Sequence, residues 1–220
     1  MADVLVVNPN SNPAVTRGID EALEPLRGPG RRVTTVNLEG TPFGIQSQAD
    51  VDSVAQPTAE HVRAQNDAYD AFVIACFSDP GLHLCREVSA KPVFGIAQSG
   101  LLTALSLGQA VGVISILDTS IPRHWRYYRA LGIAAMVAGD VAIGTPVAEL
   151  GDEERVFDRM LGAGRTLVAD HGADVLVMGC AGMARYRSPL EEALGVPVVD
   201  PTQAAVGAAL TAAALGYATR

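Results

Sequence analysis

Three features are scarce in this chain of 220 residues: long apolar runs, clustered positive charge and cysteine. No apolar run reaches the roughly 18 residues that a bilayer-spanning helix needs without a charge or a helix breaker. We therefore expect no contact with a membrane. The net charge of -8 argues against a nucleic-acid partner, because phosphate backbones bind clusters of Lys and Arg.

Only three cysteines are present, and an odd number cannot all pair with one another. The amino-terminal run Met1-Ala-Asp-Val-Leu-Val-Val has an early acidic residue, no basic segment and no small-residue cleavage site. It is interpreted as a first strand and not as a signal peptide. We expect a cytoplasmic protein, whose cysteines stay thiols in that reducing compartment.

Short β-branched runs alternate with helix-length amphipathic segments along the whole chain. Because these runs are apolar on both faces and are followed by helices, they predict an α/β fold with mostly parallel sheets covered on both sides. The predicted strands are residues 4–8, 32–38, 71–75, 92–96, 111–116, 174–178 and 197–199, with a less definite strand near 136–143. The predicted helices are residues 13–26, 55–67, 80–88, 100–107, 122–131, 153–171 and 203–218.

The two halves of the chain resemble each other. The segment 91–98 is similar to the segment 196–203, and the runs ending at Cys76 and Cys180 are also similar. The strand ending at Asn8 likewise resembles the strand ending at Ser115. Three matches in the same order, at offsets of 104 to 107 residues, predict two pseudo-equivalent halves. We assign residues 1–97 plus 197–220 to a first α/β domain and residues 98–196 to a second.

Two of the predicted strand ends carry a cysteine, Cys76 and Cys180. Ligands of parallel sheets bind beyond the carboxyl ends of the strands, so facing halves would place the two thiols on opposite walls of one cleft. Inverting a carbon stereocentre requires removal of a proton from one face and its return to the other. Two thiols, one ionised and one protonated, can perform both transfers. The alternative is that each cysteine is only a small buried side chain.

The sequence after each cysteine favours the thiolate. Ser78 or Asp79 can cap a helix with Pro80 in its first turn, and Cys180 precedes the small-residue turn Ala181-Gly-Met. Backbone N–H groups and the positive end of a helix lower a cysteine pKa from its usual value of about 8.5. We therefore expect lowered pKa values at both thiols.

The other polar residues give weaker signals. Cys85 is expected to pack within the helix after Pro80, and four scattered histidines have no metal-ligand spacing, so no metal site is predicted. No glycine-rich phosphate loop follows a strand, and no nucleotide is expected. The run Asn8-Pro-Asn-Ser-Asn fits either a ligand contact or a turn with a helix cap. The basic and aromatic segment 123–129 is interpreted as a helix surface or as a subunit contact, and we expect a homo-oligomer.

Three motifs resemble those of the hydantoin racemase branch of the aspartate/glutamate racemase superfamily: Val7-Asn-Pro-Asn-Ser, Cys76-Phe-Ser-Asp-Pro-Gly-Leu and Gly179-Cys-Ala-Gly-Met. The resemblance covers essentially the whole chain. It implies two similar parallel-sheet domains related by pseudo-twofold symmetry, with the active site in the cleft between them. It also implies racemisation of a small molecule without a cofactor, with Cys76 and Cys180 as the acid/base pair. The implied substrate contacts are Asn8, Gly44, Ile45, Phe77, Ser78, Ser115, Ile116, Ala181 and Gly182.

The chain departs from the family pattern at positions that bear on the substrate. Gly-Ile-Ala-Gln-Ser-Gly at 95–100 replaces Gly-Ile-Gly-Glu-Ala-Ala, Ser115-Ile116 replaces a Thr pair, and Thr119 replaces an Arg. Few cationic residues lie at the predicted strand ends, whereas a free carboxylate would favour an Arg or Lys anchor. This favours a 5-substituted hydantoin or a related cyclic ureide such as allantoin, although Arg185 or Arg187 could supply an anchor.

Three alternatives remain open. An arylmalonate decarboxylase-like enzyme needs a single cysteine at the position of Cys180, and the presence of Cys76 argues against it. A maleate isomerase-like enzyme uses both cysteines and binds a diacid, which the shortage of positive charge disfavours. A non-catalytic module would bind a small ligand between the two lobes and would carry unreactive thiols.

Overall fold

A computed structural model of the chain describes residues 2–150 and 153–218. The first parallel sheet contains β1 (Ala2–Asn8), β2 (Arg31–Asn37), β3 (Ala71–Ile74) and β4 (Val93–Gly95), in the order β2-β1-β3-β4. The second contains β5 (Val111–Ser115), β6 (Val137–Ala142), β7 (Val175–Met178) and β8 (Val198–Val199), in the order β6-β5-β7-β8. The shared strand order confirms the predicted α/β fold of two similar parallel-sheet units.

Helices cover both sheets. The α-helices of the described residues are α1 (Pro13–Ala22), α2 (Gln48–Ala64), α3 (Leu82–Val88), α4 (Ile96–Ala104), α5 (Ile121–Ala130), α6 (Glu153–Ala169), α7 (Arg187–Leu194) and α8 (Pro201–Leu215). The helix predicted to begin at residue 55 already begins at Gln48, because Ser47 and Asp50 form a capping box. None of these helices combines the length and the apolar character needed to cross a membrane.

The two sheets are packed together through one core. Buried side chains of both sheets belong to a single hydrophobic cluster, which includes Val73 of β3 and Val177 of β7. The last helix, α8, packs on β1 and β3 of the first sheet and on α4, while β8 pairs with β7 of the second. The predicted domain division stays a prediction: one domain of residues 1–97 plus 197–220 and another of residues 98–196. It assigns both β8 and α8 to the first domain.

The halves differ in how they cap the helix after their fourth strand. In the second half, Asp200 precedes α8, and its Oδ1 accepts hydrogen bonds from the N–H groups of Thr202 at 2.7 Å and Gln203 at 2.8 Å. The corresponding position before α4 is Gly95, which has no side chain to offer. The first half therefore needs a carboxylate from another part of the chain.

Asp79 supplies that carboxylate. Its two oxygens accept hydrogen bonds from the N–H groups of Ala97 and Gln98, each at 2.9 Å, at the start of α4. The Tyr127 hydroxyl of α5 donates a third bond at 2.5 Å. Asp79 has a φ of 44°, in the left-handed region that favours glycine, so its backbone is strained to reach this position. Asp79 thus joins the segment after β3 to both α4 and α5.

This arrangement explains why residue 95 is glycine. A Cβ there would lie 2.2 to 2.5 Å from the carboxylate atoms of Asp79. We expect Gly95→Ala to lower the free energy of unfolding by about 1–3 kcal/mol, because the carboxylate must leave its N–H donors or the strand must shift. Gly207→Ala in α8 is the matched control, since no atom lies within 4 Å of the place that its methyl group would occupy and helical alanine is favoured over glycine. Urea unfolding compares the two, and equal midpoints for wild type and Gly95→Ala would contradict the expectation.

Candidate active site

A cleft of about 450 Å³, a volume that includes its opening, contains both predicted cysteines in its walls. Cys76 follows β3 and Cys180 follows β7, and these strands hold the same third place in their sheets. Both thiols are free and partly exposed. They also interact electrostatically, since negative charge at Cys180 raises the pKa of Cys76. The fold therefore brings one thiol from each sheet to a shared cleft.

The segment after Cys76 forms a turn and not the predicted helix start. The Asp79 N–H donates to the Cys76 carbonyl at 2.9 Å, and α3 begins only at Leu82. Gly81 precedes α3 with a φ of 68° and no side-chain cap is formed, so the predicted cap by Ser78 or Asp79 is wrong. The physical reason is that the Asp79 carboxylate caps α4 instead. The Ser78 N–H does donate to the Cys76 sulfur.

Cys180 has a similar backbone donor. A 3₁₀ helix, Ala181–Tyr186, begins directly after it, and the Gly182 N–H donates to the Cys180 sulfur. A Cβ on Gly182 would lie 3.1 Å from Leu150 Cδ1 and 3.8 Å from the sulfur, so glycine lets the backbone approach closely. Each thiol is therefore held by the N–H group two residues further along the chain.

The prediction of lowered pKa values is wrong for both thiols. Burial raises the pKa of Cys76 to about 12 and that of Cys180 to about 11. One N–H donor at each sulfur offsets only part of this desolvation. The neighbouring carboxylates of Asp79 and Asp200 further raise the pKa of Cys76 and Cys180 respectively, whereas the Arg123 guanidinium lowers that of Cys76. Desolvation of the two sulfurs therefore determines that both pKa values are raised.

The structure brings some of the predicted substrate contacts to the cleft and places others behind it. The lining residues among them are Ile45, Phe77, Ser78, Ile116 and Ala181. Asn8 is buried, and its side-chain amide donates to Asn10 Oδ1 and Thr16 Oγ1, each at 3.0 Å, so that Asn10 lines the cleft in its place. Gly44 lies against Val147, another lining residue.

Ser115, a further predicted contact, belongs to a buried network beside the cleft. Its hydroxyl donates to Asp140 and lies 3.1 Å from His124 Nδ1, which in turn lies 2.9 Å from Asp140 Oδ2. The Tyr128 hydroxyl donates to the same carboxylate oxygen at 2.8 Å. His124 lines the cleft, and its Nε2 has no hydrogen-bond partner within the described part of the chain. The network fixes the orientation of an imidazole in the cleft wall.

Arg123 and His124 both line the cleft, and sequence reasoning predicted neither as a site residue. Both lie in the first turns of α5, whose segment 123–129 was predicted to form a surface or a subunit contact. The usable signal was position: this helix follows β5, and ligands of parallel sheets bind beyond the carboxyl ends of strands. The suggested anchors Arg185 and Arg187 do not line the cleft, and they pair with Glu153 at 2.5 Å and Glu191 at 3.4 Å.

No group of three His, Cys, Asp or Glu side chains within residues 2–150 and 153–218 could hold a metal ion. The chemistry available to the described cleft residues is that of two thiols, an imidazole, a guanidinium, the side-chain amide of Asn10, small hydroxyl groups and backbone N–H donors.

Known proteins resemble this chain along almost its whole length. The sequence pattern of the family described as Asp/Glu/Hydantoin racemase matches residues 4–209. A hydantoin racemase of Rhizobium meliloti is 35% identical over 216 residues, which cover 97% of this chain and 90% of that protein.

Two solved structures are similar in both sequence and fold. An allantoin racemase from Klebsiella pneumoniae has 30% identity and a TM-score of 0.92, covering 100% of this chain and 91% of the other. An allantoin racemase from Pseudomonas fluorescens has 27% identity and a TM-score of 0.94, covering 99% and 93%.

Proposed function

Because the chain belongs to the Asp/Glu/hydantoin racemase family, we propose that it is an isomerase that inverts the carbon stereocentre of a 5-substituted hydantoin or a related cyclic ureide such as allantoin. The observation that carries this proposal is the pair of thiols, Cys76 and Cys180, which enter one cleft from two sheets. Relatives whose names specify hydantoin and allantoin, and which align over nine-tenths or more of their length, support the ring substrate.

The proposed reaction is a proton transfer across the substrate carbon. A thiolate on one wall takes the proton from C5, and the electron pair left on carbon delocalises into the adjacent ring carbonyl. The thiol on the opposite wall then donates its proton to the other face of C5, so the two sulfurs end with exchanged protonation states. The reverse reaction uses the same groups in exchanged roles. No electron is gained or lost, and the two thiols supply every proton that the inversion needs.

The two thiols are proposed to ionise one at a time. Burial raises the pKa of both, and charge on one sulfur disfavours charge on the other, which keeps the second thiol protonated as the acid. The N–H groups of Ser78 and Gly182 would hold whichever sulfur carries the charge.

The remaining site residues are proposed as the walls that hold the ring. The Ser78 hydroxyl and the Ala181 N–H suit the two carbonyl oxygens of a hydantoin, and the apolar side chains of Ile45, Phe77 and Ile116 suit its substituent. Gly182 does not line the cleft, and its N–H would act through the Cys180 sulfur. Asn8, Gly44 and Ser115 would act from behind the lining, through Asn10, Val147 and His124 respectively.

A homo-oligomer in the cytoplasm is also proposed. Leu102 of α4 and Leu215 of α8 are 50% and 62% exposed, and burial of these apolar side chains against a second copy of the chain is the support for the proposed oligomer. Three free thiols suit a reducing compartment.

Deuterium exchange tests the proposed reaction directly. Each enantiomer of 5-methylhydantoin, 5-benzylhydantoin, 5-(2-carboxyethyl)hydantoin and allantoin is incubated with the protein in D₂O. We expect optical rotation to decay to zero while C5–H is replaced by deuterium, because the proton that returns comes from a solvent-exchangeable thiol. A variant lacking both Cys76 and Cys180 measures the spontaneous background. If no compound loses rotation or gains deuterium faster than that background, the proposed function is wrong.

A further inference from the structure

We propose that Arg123 is a substrate-binding residue that selects hydantoins whose C5 substituent ends in a carboxylate. This inference rests on the proposed function and specifies its substrate class. It also revises the sequence expectation of few cationic residues at the strand ends, with Arg185 or Arg187 as the possible anchor, because Arg123 lies in the cleft wall.

The position of Arg123 places its charge beside the reacting centre. Its Nε donates to Ser78 Oγ at 3.1 Å, two residues after Cys76, and its Nη2 donates to Ser120 Oγ at 3.3 Å. Nη1 has a longer contact of 3.5 Å with the Gln46 carbonyl. Ser78 and Ser120 line the cleft as well, so the guanidinium is held at the cleft surface on the side of Cys76.

The charge of Arg123 has no ion-pair partner within the described part of the chain, since its three contacts are to neutral oxygens. Burial lowers the pKa of Arg123, and negative charge at Cys76 and, less strongly, at Asp50 opposes this shift. The Asp50 carboxylate accepts the N–H groups of Gln46 at 3.0 Å and Ser47 at 2.8 Å. A half-buried guanidinium without a carboxylate is unfavourable by itself, and an anionic ligand would relieve it.

The donor count of Arg123 suits a carboxylate. A guanidinium has five N–H groups in a fixed plane, and three are used in the contacts above. One N–H on each terminal nitrogen remains, and such donors bind the two oxygens of a carboxylate. A second cation lies on the same side: Arg126 lines the adjoining pocket with Arg123 and contacts the neutral side chain of Gln48 at 2.8 Å.

In this arrangement, different parts of the site bind the ring and the substituent of the substrate. The ring, with its acidic C5–H, lies between the thiols, while the substituent extends toward α5. A carboxylate there would form an ion pair that is partly shielded from water and therefore stronger than a surface pair. A neutral amide of the same size could form hydrogen bonds but no ion pair.

The test compares matched substrates in wild type and Arg123→Gln. We expect wild type to have a kcat/KM for 5-(2-carboxyethyl)hydantoin at least about 10-fold above that for its neutral amide, 5-(2-carbamoylethyl)hydantoin. Arg123→Gln should remove this preference, chiefly through a higher KM for the carboxylate. Its kcat/KM for 5-benzylhydantoin should fall by a much smaller factor, which reflects only the contacts of Arg123 with Ser78 and its charge beside Cys76. Arg129→Gln on the same helix is the control, because the Arg129 guanidinium lies 5.8 Å from the Trp125 ring centroid. This variant should leave kcat/KM unchanged for both substrates.

The possible results of this experiment distinguish failure of the role proposed for Arg123 from failure of the proposed racemase function. Racemisation of 5-benzylhydantoin without a preference for the carboxylate would overturn the role of Arg123 and leave the racemase intact. An equal loss for all substrates in Arg123→Gln would also overturn it, because Arg123 would then act on Cys76 or Ser78 and not on the substituent. Circular dichroism and urea unfolding of both variants exclude misfolding as the cause. Absence of racemisation with every compound would instead contradict the proposed function.

Discussion

Replacing either Cys76 or Cys180 by Ala is expected to slow racemisation by about 10²- to 10⁴-fold, the usual contribution of a positioned acid or base. In the proposed mechanism each thiol serves one face of the substrate carbon, so the loss of one would leave inversion incomplete. Polarimetry with a single-enantiomer hydantoin measures the effect. Cys85→Ala is the matched control, because Cys85 lies on the buried face of α3 and does not line the cleft. Its activity should stay within about twofold of wild type.

The single variants should also separate the two faces. In Cys76→Ala, the remaining thiol can exchange the C5 proton of only one enantiomer with D₂O, and it should return deuterium to the same face without inversion. Cys180→Ala should exchange only the other enantiomer. If both variants exchanged the same enantiomer, the thiols would not lie on opposite sides of the substrate. If Cys76→Ala kept full activity toward an arylmalonate substrate, a single-cysteine decarboxylase would replace the racemase as the interpretation.

Alkylation of Cys180 by iodoacetamide is expected to accelerate about 100-fold between pH 7 and pH 9. Only the thiolate reacts, and with a pKa raised to about 11 its fraction grows tenfold for each pH unit below that value. Cys76, with a pKa raised to about 12, should react more slowly at each pH. The kcat/KM should rise with pH over the same range, since it reports the ionisation of the free enzyme.

Peptide mass spectrometry assigns the alkylation rate to each cysteine. Cys85 is the internal control: its pKa is also raised to about 12 and its side chain is fully buried, so it should stay unmodified in the folded protein. A rate at Cys180 that levels off below pH 8 would contradict the raised pKa. It would indicate that the Gly182 N–H and the local backbone stabilise the thiolate more than burial destabilises it.

The architecture could be predicted from the sequence because buried strands are marked by their local apolar character. The segments around β3 and β7 are buried on every residue, and such runs are recognisable without knowing their partners. The repeat between the halves then predicted two pseudo-equivalent halves and paired the two cysteines. Both thiols in one cleft follow from that repeat, because equivalent strand ends meet where the halves face each other.

Local sequence patterns could not predict the contacts between distant segments of the chain. Asp140 lies in β6, the least definite predicted strand, and its bonds to Ser115 and His124 join residues 25 and 16 positions apart. The local sequence around Arg123 and His124 is that of a polar helix surface, and only the position of α5 after β5 pointed to the cleft. The raised pKa values of the thiols were missed for a related reason. The N–H donors are visible in the local sequence, whereas the desolvation that outweighs them comes from the whole surrounding structure.

The bond from Tyr127 to Asp79 has a mechanical consequence. It runs from the helix that carries Arg123 and His124 to the turn that carries Cys76, and Asp79 also holds the start of α4. Burial raises the pKa of Asp79 to about 6, so near neutral pH this carboxylate is largely charged and depends on all three donors. A wide hinge rotation of one sheet away from the other would remove the Tyr127 donor and leave that charge under-solvated. The bond between Tyr127 and Asp79 therefore opposes widening of the cleft, although the Asp79 carboxylate does not line it.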